Sequence, residues 1–365
     1  MTSAPSSRSD AADPVGRPRS VTRVALDLLG GDRAPESVVD GALLVARDTP
    51  DIELVLVGPV EVAERLLAER KAAGRFRLVA ASQVVGMDED PAKAVRVKRD
   101  ATVRVAARLV RDGEADAMVS VGSTGAALAA AVFTLGRLRG VSRPALAAII
   151  PSAAGPLVFL DAGASSDATP EMLAQFALAG AALATVRLGI AAPRVGLLSI
   201  GEEPGKGDEL RKQAYDLLAS LPVDFVGNVE GRDVPHGGRA DVIVTDGFTG
   251  NVLAKGLEGA ASMLSDVLLR ALTSTPERMA AATALLPAIG EATAHMSPEE
   301  LGGAVLLGVK GVVVVGHGAS TPRGVQSCVR VAAQAAREGL VPRSAAALSE
   351  LLDRKSSHDD TGVPA

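Results

Sequence analysis

Between residues 21 and 353 the chain repeats one pattern, and that pattern limits the folds open to it. A short run of β-branched and aliphatic residues closes on glycine, aspartate or both, and a longer stretch of helical periodicity follows. The strand candidates are TRVALDL, IELVLVG, FRLVAA, DAMVSVG, ALAAIIP, PLVFLDAG, RVGLLSIG, VDFVGNV, DVIVTDG and GVVVVGHG. Helical stretches such as SVVDGALLVARD, EVAERLLAERKAA, AVRVKRDATVRVAARLVRDG and MLAQFALAGAALATVRLG lie between them. Strand runs that barely alternate are buried on both faces, which predicts a mostly parallel sheet with helices covering it. With neither an internal repeat nor a linker, residues 21–353 read as one α/β unit, compact or bilobed. In such sheets ligands bind beyond the carboxyl ends of strands. Chemistry is therefore expected in the Gly/Asp/Ser/Thr clusters that close the strand runs.

Residues 1–20 are polar, small and proline-bearing and lack the apolar centre of a secretory signal; a disordered tail is expected there, and again over 354–365. No apolar run is long enough and free enough of charges and breakers to indicate a spanning helix. The net charge of −5 and the scarcity of aromatic residues (no tryptophan, one tyrosine, six phenylalanines) leave single-stranded nucleic acid without stacking platforms. Cys328 is the sole cysteine, so neither an internal disulfide nor a thiolate metal cluster can form. It lies in an apolar helical pattern, VQSCVRVAAQAA, where a small buried residue is the usual explanation.

The loops can be tested one by one for phosphate chemistry. IGEEPGKGDEL looks like a nucleotide loop, but its glycines are spaced one residue short of G-x-x-x-x-G-K-[ST], and Gly207 stands where a magnesium-binding hydroxyl belongs. Glu202 and Glu203 would also repel a triphosphate. Lys206 thus reads either as an anion ligand or as a lysine on a solvated loop. VVVVGHGASTP carries half a dinucleotide fingerprint, with Thr321 at the third position, and a nicotinamide enzyme is rejected. In SVGSTGAAL, Gly122 permits a tight turn and Ser123 or Thr124 can cap a helix starting near Gly125, leaving free N–H groups for an anion. DLLGGDRAPESVV repeats the logic: Asp27 ends a strand, Gly30 and Gly31 let backbone approach a ligand, and Asp32 and Arg33 precede a proline-started helix. TDGFTGNVLAKGLEG does so again, with Asp246, Thr249 and Asn251 before a helix. Several such turns in one sheet suggest a shared site for a small anion. The basic run Lys93, Arg96, Lys98, Arg99 and Arg104 is either a solvated helix face or a contact for an anionic substrate or acidic partner.

Four histidines, His236, His295, His317 and His358, show no metal-ligand spacing, and there is no G-x-S-x-G elbow. An enzyme built from these parts would rely on positioning and electrostatics, without a side-chain nucleophile.

The motifs DLLGGDRAPE, MDEDPAKAVRVKRD, SVGSTGA, DAGASSDATPEMLAQFA, GLLSIGEEPGKGDEL, GNVEGRD, VTDGFTGNV, ELGGAVLLGVKG and GHGAS, in this order, resemble those of the bacterial phosphate acyltransferases of phospholipid synthesis. The resemblance runs from about Val21 to Gly339. It implies a doubly wound α/β/α sandwich similar to the isocitrate/isopropylmalate dehydrogenases and phosphotransacetylases. It also implies a reaction in which a fatty acyl group moves from the thioester of acyl carrier protein to inorganic phosphate, without metal or cofactor. The acyl phosphate would pass to a membrane glycerol-3-phosphate acyltransferase, and the enzyme would be a cytoplasmic homodimer, peripheral at the inner face of the membrane. An acyl-coenzyme A:phosphate acyltransferase resembling phosphotransacetylase, and a non-catalytic acyl-carrier or membrane scaffold, are the alternatives.

Carried over position by position, the resemblance makes Lys206 a phosphate or charge-stabilising ligand and Asn251 an oxyanion or phosphate donor. Asp27, Gly30, Gly31 and Asp32 match the first substrate loop, Gly122, Ser123, Thr124 and Gly125 the second, and Thr249 the third. Lys93, Arg96 and Arg99 match phosphate or carrier contacts. Asp161, Glu230, Asp233, Asp246 and His317 match motif positions without an assigned role. Ser123 and Ser165 stand where the family usually has asparagine, and Ala319 where it has serine. The segment over 275–295, which touches membrane in the resemblance, is apolar, nearly without basic residues and split by Pro287, whereas an interfacial helix usually carries Lys/Arg on its polar face. Packing within a dimer is the competing expectation.

Overall fold

The computed structural model describes residues 21–293 and 298–359. The expected tails at 1–20 and 360–365, and His295, lie outside the described residues. The last helix runs on to Asp359, so residues 354–359 are helical where a tail was expected.

In chain order the elements are β1 (Thr22–Asp27), α1 (Glu36–Asp48), β2 (Ile52–Gly58), α2 (Val60–Glu69), β3 (Arg77–Ala80), α3 (Pro91–Val97), α4 (Thr102–Arg111), β4 (Ala117–Ser120), α5 (Thr124–Thr134), β5 (Ala145–Ile150) and β6 (Leu157–Leu160). There follow α6 (Pro170–Leu188), β7 (Arg194–Ser199), α7 (Glu209–Ala219), β8 (Asp224–Glu230), α8 (Asp233–His236), β9 (Val242–Val244), α9 (Gly247–Leu272), α10 (Pro276–Thr293), α11 (Pro298–Leu301), β10 (Ala304–Leu307), β11 (Val312–Val315), α12 (Pro322–Arg337) and α13 (Leu340–Asp359). The strands form one sheet of 11, in the order β3-β2-β1-β4-β11-β10-β5-β6-β9-β7-β8.

Pairing is parallel except around β5 and β10: β10 is antiparallel to β11 and to β5, and β5 is antiparallel to β6. These three reversals make the strands β6, β9, β7 and β8 run opposite in sense to β3, β2, β1, β4 and β11. The sequence pattern shows which runs are strands but not this reversal, and the reversal decides which loops can meet.

Both faces of the sheet are covered. Along β1, Val24 and Leu26 join the core formed with α1, α6 and α12, while Ala25 joins the core formed with α4 and α5. A smaller core on the second half of the sheet contains Phe159, Leu198, Val229 and Ile243, against which α9 lays only Leu253, Ala254 and Leu257. Helix α6 is long and apolar enough to cross a membrane, but most of it is buried against the sheet and its neighbours, as a core helix is.

All ten strand candidates are strands. The eleventh, β10, escaped because glycines at 302, 303 and 308 frame its short run AVLL. The stretch AVRVKRDATVRVAARLVRDG is two helices, α3 and α4, not one. The break at Lys98–Ala101 pairs with Gln83 instead: Gln83 donates its N–H to Asp100 O (3.2 Å), and Thr102 donates its own to Gln83 O (2.9 Å). The helix expected at Pro35 begins at Glu36. Pro287 does not split its segment but sits inside α10, which continues past it.

Helices α9 and α10 stand apart from the body. Met263, Leu264, Val267, Leu268 and Leu269 on α9, and Met279, Leu285, Leu286 and Ile289 on α10, are all exposed. Ala282 alone is buried in the middle of α10.

Candidate active site

The expected single anion site resolves into two groups of loops, because the two halves of the sheet run in opposite senses. The first group follows β1, β4 and β11. Asp27, Gly30, Gly31, Asp32, Gly122 and Ser123 line one cavity of about 270 Å³, with Gly318 on its rim. Glycine at position 30 is required by close approach: a Cβ there would sit 2.9 Å from Asp27 Oδ2, Gly122 N and Ser120 Oγ. The backbone of Asp32 donates to Gly318 O (2.8 Å), tying the first loop to GHGAS. Ser123 caps α5 by accepting from Ala126 N, as the sequence predicts. Thr124 and Gly125 fall in the first turn of α5 outside the cavity lining, and the missing side chain of Gly125 makes room for Pro91 of α3 rather than for a ligand.

Asp27 is wholly buried and accepts from Ser120 Oγ (2.7 Å) and Leu29 N (3.2 Å). Burial pushes its carboxyl above the ordinary 3.8, while hydrogen bonds from Thr102, Ser120, Leu29 and Gly30 offset part of the rise. The folded chain therefore holds this proton more tightly than the unfolded chain does. Its stabilising contribution is full below 3.8 and is lost as pH rises from there through the raised folded value. Asp27→Asn is expected to flatten that decline, read as urea midpoints measured across the acidic range; an unchanged slope would mean that Asp27 is ionised with no penalty.

The second group follows β6, β7, β8 and β9. Asp161, immediately after β6, is fully buried, and its two carboxyl oxygens gather the loop DAGASS. Oδ1 accepts from Leu146 N (3.0 Å), Gly163 N (3.0 Å) and Ala164 N (2.9 Å). Oδ2 accepts from Ser165 N (2.8 Å) and Ser165 Oγ (2.6 Å). Asp246 caps α9 by accepting from Thr249 N (2.9 Å). Thr249 thus lies in the first turn of α9 and Asn251 at the start of its second, not before the helix. Asn251 faces the Asp161 loop, its Cβ, Cγ and Oδ1 each 3.5 Å from where a side chain on Gly163 would begin.

The fit between these loops is tight at Gly250, where a Cβ would stand 1.9 Å from Asp161 O. Gly250→Ala is expected to push the start of α9 off the Asp161 loop and to cost about 1–3 kcal/mol or more, the usual penalty of overpacking. Thermal unfolding measures it; an unchanged Tm would show that the two loops are free to separate.

Arg211 on α7 is the residue that sequence reading missed. Only 8% exposed, it donates to Asp208 Oδ2 (2.9 Å), Thr245 Oγ1 (3.0 Å) and Thr249 Oγ1 (3.2 Å), and it pairs with Asp246 Oδ2. Burial pushes the Asp246 carboxyl up, but the hydrogen bonds from Thr249 and Arg211 outweigh it and hold the group below the ordinary range. Arg211 thereby locks the start of α7, which the Lys206 loop enters, to the start of α9, which carries Asn251.

Lys206 itself is exposed. Its backbone N–H donates to Glu203 O (3.0 Å), its carbonyl accepts from Ser199 Oγ (3.1 Å), and its stem lies over Gly201. Among the described residues the ammonium has no ion-pair partner. Glu202 does not compete for the anion: its carboxylate is held by Arg239 (2.6 Å), with Arg232 at 3.9 Å. Asn228, buried on β8, donates to Glu203 O (2.8 Å) and fixes the loop from below. Lys206 thus has no ion-pair partner among the described residues, on a loop where Glu202 is neutralised and the Glu203 carboxylate lies beside the lysine stem over Gly201.

Helix α9 joins the two groups. Its Glu258 Oε1 is 3.8 Å from His317 Nε2 in the GHGAS loop, and Asn251 lies seven residues earlier, on the order of 10 Å along the same face. The basic run splits by role. Lys98 pairs with Glu89 and donates to Val84 O, and Arg104 donates to Val95 O, so both are structural. Lys93 and Arg96 on α3 and Arg99 in the break after it remain exposed, with Arg96 stacked 4.5 Å over the Phe133 ring at the far end of α5 from Ser123. Cys328 is buried and its thiol is pushed up to about 12, which makes it inert as a nucleophile.

Over residues 22–343 the sequence matches the family described as fatty acid synthesis protein. A phosphate acyltransferase of Desulfitobacterium hafniense is 45% identical over 319 residues, covering 87% of this chain and 95% of its own. One from Heliobacterium modesticaldum is 47% identical over 323 residues, with the same shares covered. Among solved structures, a phosphotransacetylase from Streptococcus pyogenes superposes with a TM-score of 0.59 at 18% identity, covering 87% of this chain and 94% of its own. A branched-chain phosphotransacylase from Enterococcus faecalis V583 gives 0.52 at 16% identity, covering 87% and 99%. At such identities these structures speak for the fold, a doubly wound, mostly parallel α/β sheet.

Proposed function

Because the chain belongs to the fatty acid synthesis protein family, and with its phosphate acyltransferase relatives is an acyltransferase, we propose that it carries a fatty acyl group from acyl carrier protein to inorganic phosphate. The observation that carries this reading is the arrangement around α9. Arg211 joins the start of α7, just after Lys206, to the first turn of α9, just before Asn251, so the loop with the exposed lysine is tied to the helix that bears the amide.

Such a site suits a nucleophile that arrives already ionised. The second pKa of a phosphate monoester lies near 6 and that of orthophosphate somewhat higher, so a substantial fraction of orthophosphate is the dianion close to neutral pH. A phosphate oxygen attacks the thioester carbonyl carbon, forming the C–O bond and placing charge on the carbonyl oxygen. Collapse breaks the C–S bond and expels a thiolate, whose thiol has a pKa of about 8.5 and which takes its proton from solvent. Lys206 and Asn251 stabilise the phosphate and the oxyanion, and the α9 N–H groups add a fixed positive end. Lys93, Arg96 and Arg99, away from these loops, present a basic face to the carrier protein.

The exposed apolar faces of α9 and α10 belong against a second copy of the chain. Their paucity of basic residues favours a homodimer over a lipid surface, although the product, an acyl phosphate, serves a membrane glycerol-3-phosphate acyltransferase and places the enzyme in the cytoplasm near that membrane. The test of the reaction is phosphate-dependent release of thiol. Release from acyl carrier protein and not from coenzyme A is expected. Equal release from acyl-coenzyme A would make this a phosphotransacetylase-like enzyme, and no phosphate dependence with either donor would make it a scaffold.

A further inference from the structure

Next to Lys206 lies a cavity of about 560 Å³, within the usual size of a small-molecule site. Ser199, Asp208, Arg211 and Thr249 supply its polar side chains, and Leu198, Ile200, Phe248, Val252 and Leu253 its apolar ones. Ile200, Phe248 and Val252 are 81%, 68% and 59% exposed, so three large apolar side chains are held in water around one hollow. Phe248 and Val252 are one helical turn apart on α9, on either side of Asn251 in sequence. The hollow is therefore mainly apolar, and its lining includes the chain neighbours of both proposed reacting groups, Gly207 beside Lys206 and Val252 beside Asn251.

We infer that this cavity receives the acyl chain of the thioester substrate and sets the preference for chain length. The inference rests on the acyl transfer proposed above. The other cavities suit a chain less well. The hollow at Asp27 is about 270 Å³, less than half the size of this one. That beside Pro193 and Asp224 lies at the opposite ends of β7 and β8 from Ile200, away from Lys206. Gly231 forms part of the wall, and a Cβ added there would meet only Leu253 Cδ1, at 3.8 Å. A side chain at 231 therefore has room to grow into the cavity and shorten it. Each methylene denied burial costs about fourfold in affinity.

The experiment compares palmitoyl- and butanoyl-acyl carrier protein as donors, with saturating phosphate, for the unaltered enzyme, Gly231→Leu and Val252→Trp. Both variants should lower the ratio of palmitoyl to butanoyl kcat/KM by about tenfold or more. Val252 is exposed, so its replacement does not threaten the core, and the chain has no other tryptophan. The indole introduced by Val252→Trp should change its emission on addition of palmitoyl-acyl carrier protein and not on addition of the unacylated carrier. A ratio that stays constant in both variants, with phosphate-dependent turnover intact, overturns the chain-binding role and leaves the reaction standing. Absence of phosphate-dependent turnover from the unaltered enzyme with both donors overturns the reaction, and with it the role of this cavity.

Discussion

Lys206→Ala is expected to lower phosphate-dependent acyl transfer by roughly 10²-fold, the loss of about 3 kcal/mol that follows removal of one donor from an oxyanion site. The reasoning is local. Lys206 is exposed, its ammonium pairs with no carboxylate among the described residues, and Glu202 is occupied by Arg239. Nothing in the fold depends on that charge, so the variant should unfold at the same temperature as the unaltered protein. The loss should appear mainly in kcat if the lysine meets charge that develops during the reaction, and mainly in the KM for phosphate if it only holds the dianion. Near-normal turnover would remove Lys206 from the site and leave the helix terminus and Asn251 as the stabilising groups.

The largest expected effect on stability is at Asp161. Asp161→Ala strips the acceptors from four backbone N–H groups and one hydroxyl; Gly163 is exposed and Ala164 half-buried, but the N–H of Leu146 and the N–H and hydroxyl of Ser165 are buried. A buried donor left unpaired costs about 1–3 kcal/mol, so a loss of at least roughly 3 kcal/mol is expected even after the loop relaxes. Asp161→Asn should also be destabilised, because an amide NH₂ on either side of the group would face donors instead of accepting from them. Denaturant midpoints for the two variants decide it; a loss below about 1 kcal/mol in both would mean that the loop repacks around other acceptors. The carbonyl of the same residue lies against Gly250, so the collapse should carry Asn251 with it and activity should fall alongside stability.

Much of this was legible in the sequence, for identifiable reasons. Strand runs such as RVALDL and VVVV declare themselves because burial on both faces leaves no room for polar residues. The cap Ser123 is read from residue type and position alone, since the hydrogen bond it makes is local. Arg211 was not legible. In DELRKQAYD it looks like one more charge on a solvated helix, and its burial is decided by Thr245, Asp246 and Thr249, which are distant in sequence. Nor was the division of the anion loops into two groups: that follows from the reversal of strand sense at β5 and β10, and β10 was hidden among glycines. The resemblance placed Lys206 and Asn251 among the candidates, and the structure adds what fixes the loops that bear them.

The order of strands also bears on how the chain must be made. Strand β4 lies beside β11, and β5 beside β10, although well over a hundred residues separate the members of each pair. While the polypeptide emerges from the ribosome, β6 to β9 and their helices can assemble with neighbours close in sequence. The half built on β1 to β4 must wait with an open edge until residues 304–315 appear, and closing so long a loop is slow. A nascent chain stalled before that point would display two unpaired apolar strand edges, β4 and β5, which are templates for pairing with other copies. Synthesis that pauses late should therefore yield aggregates, whereas release of the full chain lets the last hairpin, β10–β11, close the centre of the sheet.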